Sequence, residues 1–284
     1  MKILITGTNG AIGKEIAQRL KKNKKNKLIL FGRKRDLTKP INLNLKPEVV
    51  IHCAAKHPFS KKGRRMRNIY STNMKITKNV INFCNNSRVR KVIFLSAVLA
   101  YGLISKKVIS ENDKPIKPNL YGKSKFISER LFCEKSNFFK AICLRIPGIF
   151  TTDLTKDHPL VIKIIKKLIK NKVIHTYNFN EKFNNILDTK EIVKFINVII
   201  RKKYLNSGVY NFAASDPVKF INALIIMKKI LQSKSKIINR NIDKISFTIS
   251  VKKIKKDFNF NIEKTTNIIV RGCREILKKN YIFI

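Results

Sequence analysis

The sequence predicts an α/β fold, a doubly wound parallel sheet with a smaller C-terminal appendage, and three observations predict it. Short apolar runs alternate with helical periodicities through the first half of the chain. Repeated βα units of that kind imply a parallel sheet with right-handed crossovers. A glycine triplet follows the first apolar run directly and opens the first helix. Beyond Pro147 the alternation gives way to lysine-striped amphipathic segments, so a second unit is expected there.

Residues 2–6, 27–31, 49–53, 91–96 and 141–145 are continuous apolar runs, the pattern of strands buried on both faces. Between them Ile12, Ile16, Ala17 and Leu20 recur at helical spacing, as do Ile69, Asn73, Ile76, Thr77, Val80, Ile81 and Cys84. A further helix is expected over 120–131. In the second half, Leu160, Val161, Ile164, Ile165 and Leu168 mark an amphipathic helix before a strand at 173–177. A helix at 191–201 and a strand at 208–212 look like a return to the main sheet. A helix beyond Asp216, a strand at 236–239, a short helix at 251–257 and a terminal helix at 264–278 complete the chain. No repeat or low-complexity linker separates the halves. One domain is therefore expected over 1–147 and 185–215, and the other over 148–184 and 216–284.

Composition narrows the function classes. The 284 residues are 44% hydrophobic, ordinary for a globular chain. No stretch reaches the roughly 20 apolar residues of a membrane span. The longest, 92–104, is interrupted by Ser96 and Gly102. The first residues run straight into a glycine turn with no leader pattern, so a cytoplasmic location is expected. Five cysteines form no CxxC pair, and all but Cys273 sit in apolar surroundings, as reduced and mostly buried thiols do. Four histidines, at 52, 57, 158 and 175, are too scattered for a zinc site, so no metal is expected. The net charge of +45 raises nucleic-acid binding. Lysine is spread through nearly every segment alongside abundant Asn and Ile, however, which reads as a global compositional bias. A functional patch would be concentrated and interleaved with aromatics. No specific nucleic-acid partner is expected, only salt-sensitive association with polyanions.

The turn Gly7-Thr8-Asn9-Gly10-Ala11-Ile12-Gly13 carries the first chemistry. One glycine permits the turn, one lets the backbone approach phosphates, and one lets helix and strand pack closely. Free N–H groups and the helix dipole then bind a pyrophosphate, as in a Rossmann dinucleotide site. The second strand ends Leu30-Phe31-Gly32-Arg33-Lys34-Arg35, without the acid that holds the ribose hydroxyls of NAD. Arg33 suits a 2′-phosphate instead, so NADP is favoured over NAD.

Tyr121 and Lys125, at i and i+4, share one helix face. A tyrosine ionises near pH 10, and a nearby ammonium and an oxidised nicotinamide would lower that value. Such a phenol exchanges a proton with a sugar or alcohol oxygen while hydride passes to or from the cofactor.

With these residues in view, the chain resembles the extended short-chain dehydrogenase/reductases, specifically the nucleotide-sugar epimerase/dehydratase family. The resemblance runs nearly end to end. It includes the glycine turn, and Asp36-Leu37-Thr38, which is similar to the family's adenine contact. Val50 to Ala55, with Ala54 and Ala55 lining the cofactor, and Asn73 in the next helix match as well. The run Phe94 to Gly102 resembles the serine-rich catalytic strand, and Tyr121 with Lys125 matches the YxxxK motif. Pro147 lies in the segment that passes the nicotinamide, and 183–188 resembles the return from the substrate domain. The resemblance implies a smaller C-terminal substrate-binding lid for the nucleoside diphosphate of a sugar. It also implies a homodimer pairing the helices at 69–84 and 121 onward, and a place in nucleotide-sugar or surface-polysaccharide biosynthesis.

Two departures matter. Ala97 stands where the family carries the Ser or Thr that hydrogen-bonds the reacting oxygen. Ser96 is adjacent and is the candidate replacement, although strand alternation points it the other way. Val98 and Leu99 stand where sugar dehydratases place an acidic pair, so dehydration is not expected. The stretch from Phe31 to Asp36 is also short, which trims the adenine pocket. The expected activity is hydride transfer on a nucleotide sugar, as a 4-epimerase or a keto-sugar reductase. A cofactor-binding sensor with impaired catalysis is the alternative.

Overall fold

The computed structural model describes residues 1–58, 68–136, 138–154, 160–240 and 245–280; His158 lies outside them. In chain order the elements begin β1 (Lys2–Thr6), α1 (Ala11–Lys21), β2 (Lys27–Phe31), β3 (Val49–His52), α2 (Ile69–Asn86) and β4 (Lys91–Ala97). After a 3-10 turn at Val98–Tyr101 come β5 (Val108–Ile109), α3 (Leu120–Glu134), β6 (Lys140–Ile146), β7 (Gly148–Phe150) and α4 (Leu160–Ile169). Then follow β8 (Ile174–Thr176), β9 (Lys182–Phe183), β10 (Ile186–Asp188), α5 (Thr189–Arg201), β11 (Gly208–Asn211) and β12 (Val218–Lys219). The chain closes with α6 (Phe220–Ile230), β13 (Ile237–Asn239), β14 (Thr248–Ile249), α7 (Lys252–Phe258) and α8 (Thr265–Asn280).

Two units emerge. The first comprises 1–103, 112–146 and 192–210. Its sheet has the order β11-β6-β4-β3-β1-β2, with the β1, β2, β3, β4 and β6 pairings parallel. Ile3, Leu4, Ile5, Val50, Ile51, Val92 and Ile93 are fully excluded from water. Helices on both faces require apolar side chains in both directions, which is why these strands read as unbroken runs. The chain steps from β1 to β2 on one side and then to β3 on the other. The β1 end is thus a topological switch point, the crevice where ligands bind in open α/β sheets. Lys91, at the start of β4, donates to the carbonyls of Ile199 (3.0 Å), Ile200 (2.6 Å) and Lys202 (2.7 Å), closing the C-terminus of α5.

The second unit comprises 104–111, 147–191 and 211–284. It is built from short strand pairs, β7 with β10, β8 with β13, β9 with β12 and β5 with β14. Asn184 is its buried hub, donating to the carbonyls of Ala214 and Ile249 (2.9 Å each) and accepting from the Ile249 N–H (2.9 Å). Arg271 on α8 gathers Asp188, Glu191 and Glu263. The grouping differs from the sequence-based boundaries at 104–111, 147, 185–191 and 211–215. The reasons are specific pairings: β5 with β14, β10 with β7, and Ser215 bridged to Lys264. All five cysteines are free thiols; Cys84, Cys143 and Cys273 are buried, and Cys53 and Cys133 are partly so. Among the described residues no helix is long and apolar enough to cross a membrane, and no three His, Cys, Asp or Glu side chains could hold a metal ion.

Candidate active site

Gly7 leaves β1 with φ +75°, a left-handed conformation that disfavours any side chain. Its N–H donates to the Phe31 carbonyl at the end of β2 (2.8 Å). On the other side, a Cβ at position 7 would lie 2.7 Å from the Ala54 nitrogen beyond β3. The turn is therefore wedged between two strand ends. A Cβ on Gly13 would run into the Gly7 carbonyl, so the first turn of α1 can pack on the loop only as glycine. No side chain caps α1 and no acid stands in its first turn. Its N-terminal N–H groups and dipole suit a pyrophosphate, and the residues present fit a dinucleotide.

The Asn9 side-chain oxygen accepts the Arg33 N–H (2.5 Å), tying the turn to the end of β2. Arg33, Lys34 and Arg35 are exposed there, with the Arg35 guanidinium over the Phe31 ring at 5.5 Å. Asp36 accepts from the Thr38 N–H (2.9 Å) and hydroxyl (2.8 Å), and the backbone bond holds its carboxyl below the usual range. Leu37 is buried, its carbonyl taken by the Asn79 amide (3.0 Å).

Beyond β3, Ala54 donates from its N–H to the Thr6 hydroxyl (3.3 Å), which also meets His52 Nδ1 (2.7 Å). Asn73 on α2 clamps the same loop. Its oxygen accepts the Lys56 N–H (2.7 Å), and its amide donates to the Lys56 carbonyl (3.1 Å) and the Ser124 hydroxyl on α3 (3.0 Å). Thr77 and Ser128 bond one turn further along the same two helices (2.7 Å). A small cavity lies here, lined by Ala54, Ala55, Phe94, Lys125 and these polar groups.

The Asn119 side chain accepts from the Gly122 N–H (2.8 Å), which starts α3 and sets Tyr121 in its first turn. Lys125, one turn on, donates to the Leu95 carbonyl of β4 (2.7 Å) and stands 5.7 Å from the Tyr121 ring centre and 4.5 Å from that of Phe94. Burial lowers its pKa to about 8, opposed by Cys53, Glu129 and Cys143. Burial also pushes the Tyr121 phenol above its ordinary value. The cause is the hydration that the phenolate loses on burial.

Ser96 takes another part than catalyst. Its hydroxyl donates to Glu129, which pairs with Arg145 of β6 at 2.7 Å; the two charged side chains are 1% and 4% exposed. The Arg145 guanidinium lies 4.4 Å from the Tyr101 ring centre. Ala97, at the strand end, presents a methyl. Tyr121, Lys125, Asn73 and the 54–55 loop are thus brought together, whereas Ser96 is turned into the ion pair and Pro147 falls in the second unit. Sequence reasoning passed over Glu129 and Arg145. A lone carboxylate one turn after Lys125 and a lone guanidinium in an apolar strand were the available signals.

A family model described as the RmlD substrate binding domain matches residues 1–255. A dTDP-D-glucose 4,6-dehydratase of Dictyostelium discoideum is 28% identical over 81% of this chain and 61% of its own length. Across the curated relatives it matches, the chain spans 49% to 74% of their length. Among solved structures, RMD from Pseudomonas aeruginosa complexed with NADPH superposes with a TM-score of 0.81 at 17% identity, covering 98% of this chain and 99% of that one. The UDP-N-acetylglucosamine 4-epimerase from Methanobrevibacter ruminantium M1 gives 0.80 at 18% identity, covering 98% of each. Both show the same fold.

Proposed function

The chain belongs to the RmlD substrate binding domain family, and from that premise we propose that it is an NAD(P)-dependent enzyme of nucleotide-sugar metabolism. It transfers hydride at a ring carbon bearing a hydroxyl or ketone. The observation that carries this reading is the buried Tyr121–Lys125 pair on α3, with Lys125 fixed to β4.

Each residue has a task. The glycine turn and the uncapped start of α1 hold the pyrophosphate. When bound, the nicotinamide supplies or accepts the hydride. Tyr121 holds and moves a proton at the substrate oxygen. Lys125 supplies a positive charge that favours the phenolate when the proton leaves. A phenol ionises near pH 10, so Tyr121 starts protonated at neutral pH and can donate the proton that reduction of a ketone needs. Exposed Arg33 at a strand end without an acid suits a 2′-phosphate. NADPH-dependent keto-sugar reduction is therefore favoured over 4-epimerisation. The nucleoside diphosphate falls to the second unit, and a cytoplasmic homodimer through α2 and α3 completes the proposal.

The test is incubation with NADPH, NADH or NAD and a panel of nucleotide sugars and their 4-keto forms, with products read by NMR. Net consumption of NADPH is expected, and Tyr121→Phe is expected to abolish it while leaving NADPH binding intact. A changed sugar without net consumption would mean an epimerase. Tight cofactor binding with no product from any sugar would leave a sensor.

A further inference from the structure

The end of β2 holds a contact that only glycine permits. Gly32, the first residue past the strand, stands where a dinucleotide site for NAD carries its ribose-binding acid. Its φ lies outside the left-handed region, unlike those of Gly7 and Gly102, so the backbone there accepts any residue. The demand for glycine comes from Asn9 instead. A Cβ at position 32 would run into the Asn9 Oδ1 and lie 3.1 Å from its Cγ, with the Thr8 hydroxyl next at 3.5 Å. These three nearest atoms all belong to side chains of the glycine turn. Asn9 thus fills the volume in which an acid would begin.

The partner of that amide fixes its orientation. The Arg33 N–H can only donate, so the atom 2.5 Å from it is the Asn9 oxygen. The amide nitrogen, with its two N–H donors, has no hydrogen-bond partner among the described residues, and both Asn9 and Arg33 are exposed. A neutral amide donor and a guanidinium therefore stand where an NAD site places an acceptor. Donors and positive charge match a phosphate, whose oxygens accept. The turn does not depend on this amide for its attachment. The N–H groups of Gly7 and Thr8 both donate to the Phe31 carbonyl, at 2.8 and 3.2 Å.

We infer that Asn9 is a specificity-determining residue. It keeps an acid out of position 32 and donates from its amide to the 2′-phosphate of a phosphorylated dinucleotide, beside Arg33. This rests on the proposed reading of the turn as a cofactor site.

The test measures dissociation constants of the whole chain for NADPH and NADH by fluorescence, and for 2′,5′-ADP and 5′-AMP by calorimetry. The two fragments lack nicotinamide, so they report on the adenosine end alone. The parent should prefer the 2′-phosphorylated member of each pair. Asn9→Ala should weaken that member by about tenfold, the worth of a hydrogen bond to a charged group, and leave the other within about twofold. Asn9→Asp keeps an acceptor for the Arg33 N–H but replaces the donors with a negative charge, so the phosphorylated ligands should weaken by about 100-fold. Should Asn9→Ala fail to fold, Asn9→Asp carries the same comparison. Gly32→Asp alone should bind NADH more weakly than Gly32→Asp with Asn9→Ala, because the new side chain and Asn9 exclude each other. The double variant should prefer NADH to NADPH.

An Asn9→Ala chain that weakens both members of each pair equally would make Asn9 a tie between turn and strand and overturn the inference. An unchanged preference in Asn9→Ala would do the same, as would a parent that favours NADH. A Gly32→Asp chain that binds NADH as tightly as the double variant would overturn the exclusion. A parent that binds no dinucleotide removes the cofactor reading together with the inference. A parent with the stated preference that turns over no sugar leaves the role of Asn9 standing and removes only the hydride-transfer reading.

Discussion

Burial acts on Tyr121 and His52 through one cause with opposite chemical results. Each loses its charged form, so the phenol is pushed up and the imidazole is lowered to about 3. His52 is stacked on Phe94 (ring centroids 5.5 Å apart) and bonded to Thr6, with the Lys125 charge further disfavouring protonation. The consequence for stability follows from linkage. Above pH 6.5 neither state of the chain holds this proton. Between 6.5 and about 3 the unfolded chain binds it and the folded chain does not. Stability therefore falls as pH drops through that window, approaching about 1.4 kcal/mol per unit from this group. Urea unfolding should show the slope beginning near pH 6.5, above the range where carboxylates contribute. A His52→Asn variant should be flat until the carboxylates titrate; an unchanged slope would remove His52 as its source.

At the scale of elements, α3 is held to the sheet by two successive grips, Lys125 on the Leu95 carbonyl and Glu129 on Ser96 and Arg145. A buried ion pair adds little net stability over apolar packing, yet breaking one partner leaves a charge buried without its counterion. Glu129→Gln should cost about 3–5 kcal/mol, whereas Glu129→Leu with Arg145→Met should recover most of it. Denaturant midpoints decide this, and a Glu129→Gln variant as stable as the parent would mean that Arg145 is neutralised elsewhere. The same grips explain what sequence could and could not show. Continuous apolar runs announced β1, β3, β4 and β6 because a two-faced sheet demands them. Alternation correctly turned Ser96 away from the Ala97 side. Its destination was not legible, because Glu129 and Arg145 are joined only by tertiary packing. Nor were two-residue strands such as β5, whose partner β14 lies 140 residues away by register, Val108 to Thr248. Too short to carry periodicity, they exist only as pairings, and the boundaries between the two units moved with them. Asn73, placed beside the cofactor by resemblance, is in the structure a clamp on the loop that carries His57.

Across the whole molecule, 62 lysines and arginines face 17 acids, and several of those acids are gathered into a few pairings. Glu129 serves Arg145, Glu15 serves Arg19, and Asp188, Glu191 and Glu263 converge on Arg271. The surplus of +45 is therefore spread over the surface as mutual repulsion, which disfavours the compact state. Screening relieves it, since the Debye length falls from about 10 Å at 0.1 M salt to about 3 Å at 1 M. Raising NaCl from about 50 to about 500 mM should raise Tm, in contrast to a protein held together by surface ion pairs. The same change should release single-stranded DNA or heparin almost completely, because affinity built on counterion release falls with a high power of salt concentration. On the proposed reading of the glycine turn as a cofactor site, NADPH, with far fewer phosphate charges than an oligonucleotide, should lose much less. Fluorescence anisotropy with an oligonucleotide and a parallel NADPH titration separate the two. Oligonucleotide binding that survives about 500 mM salt and depends on sequence would make the charge a recognition surface and end its reading as compositional bias.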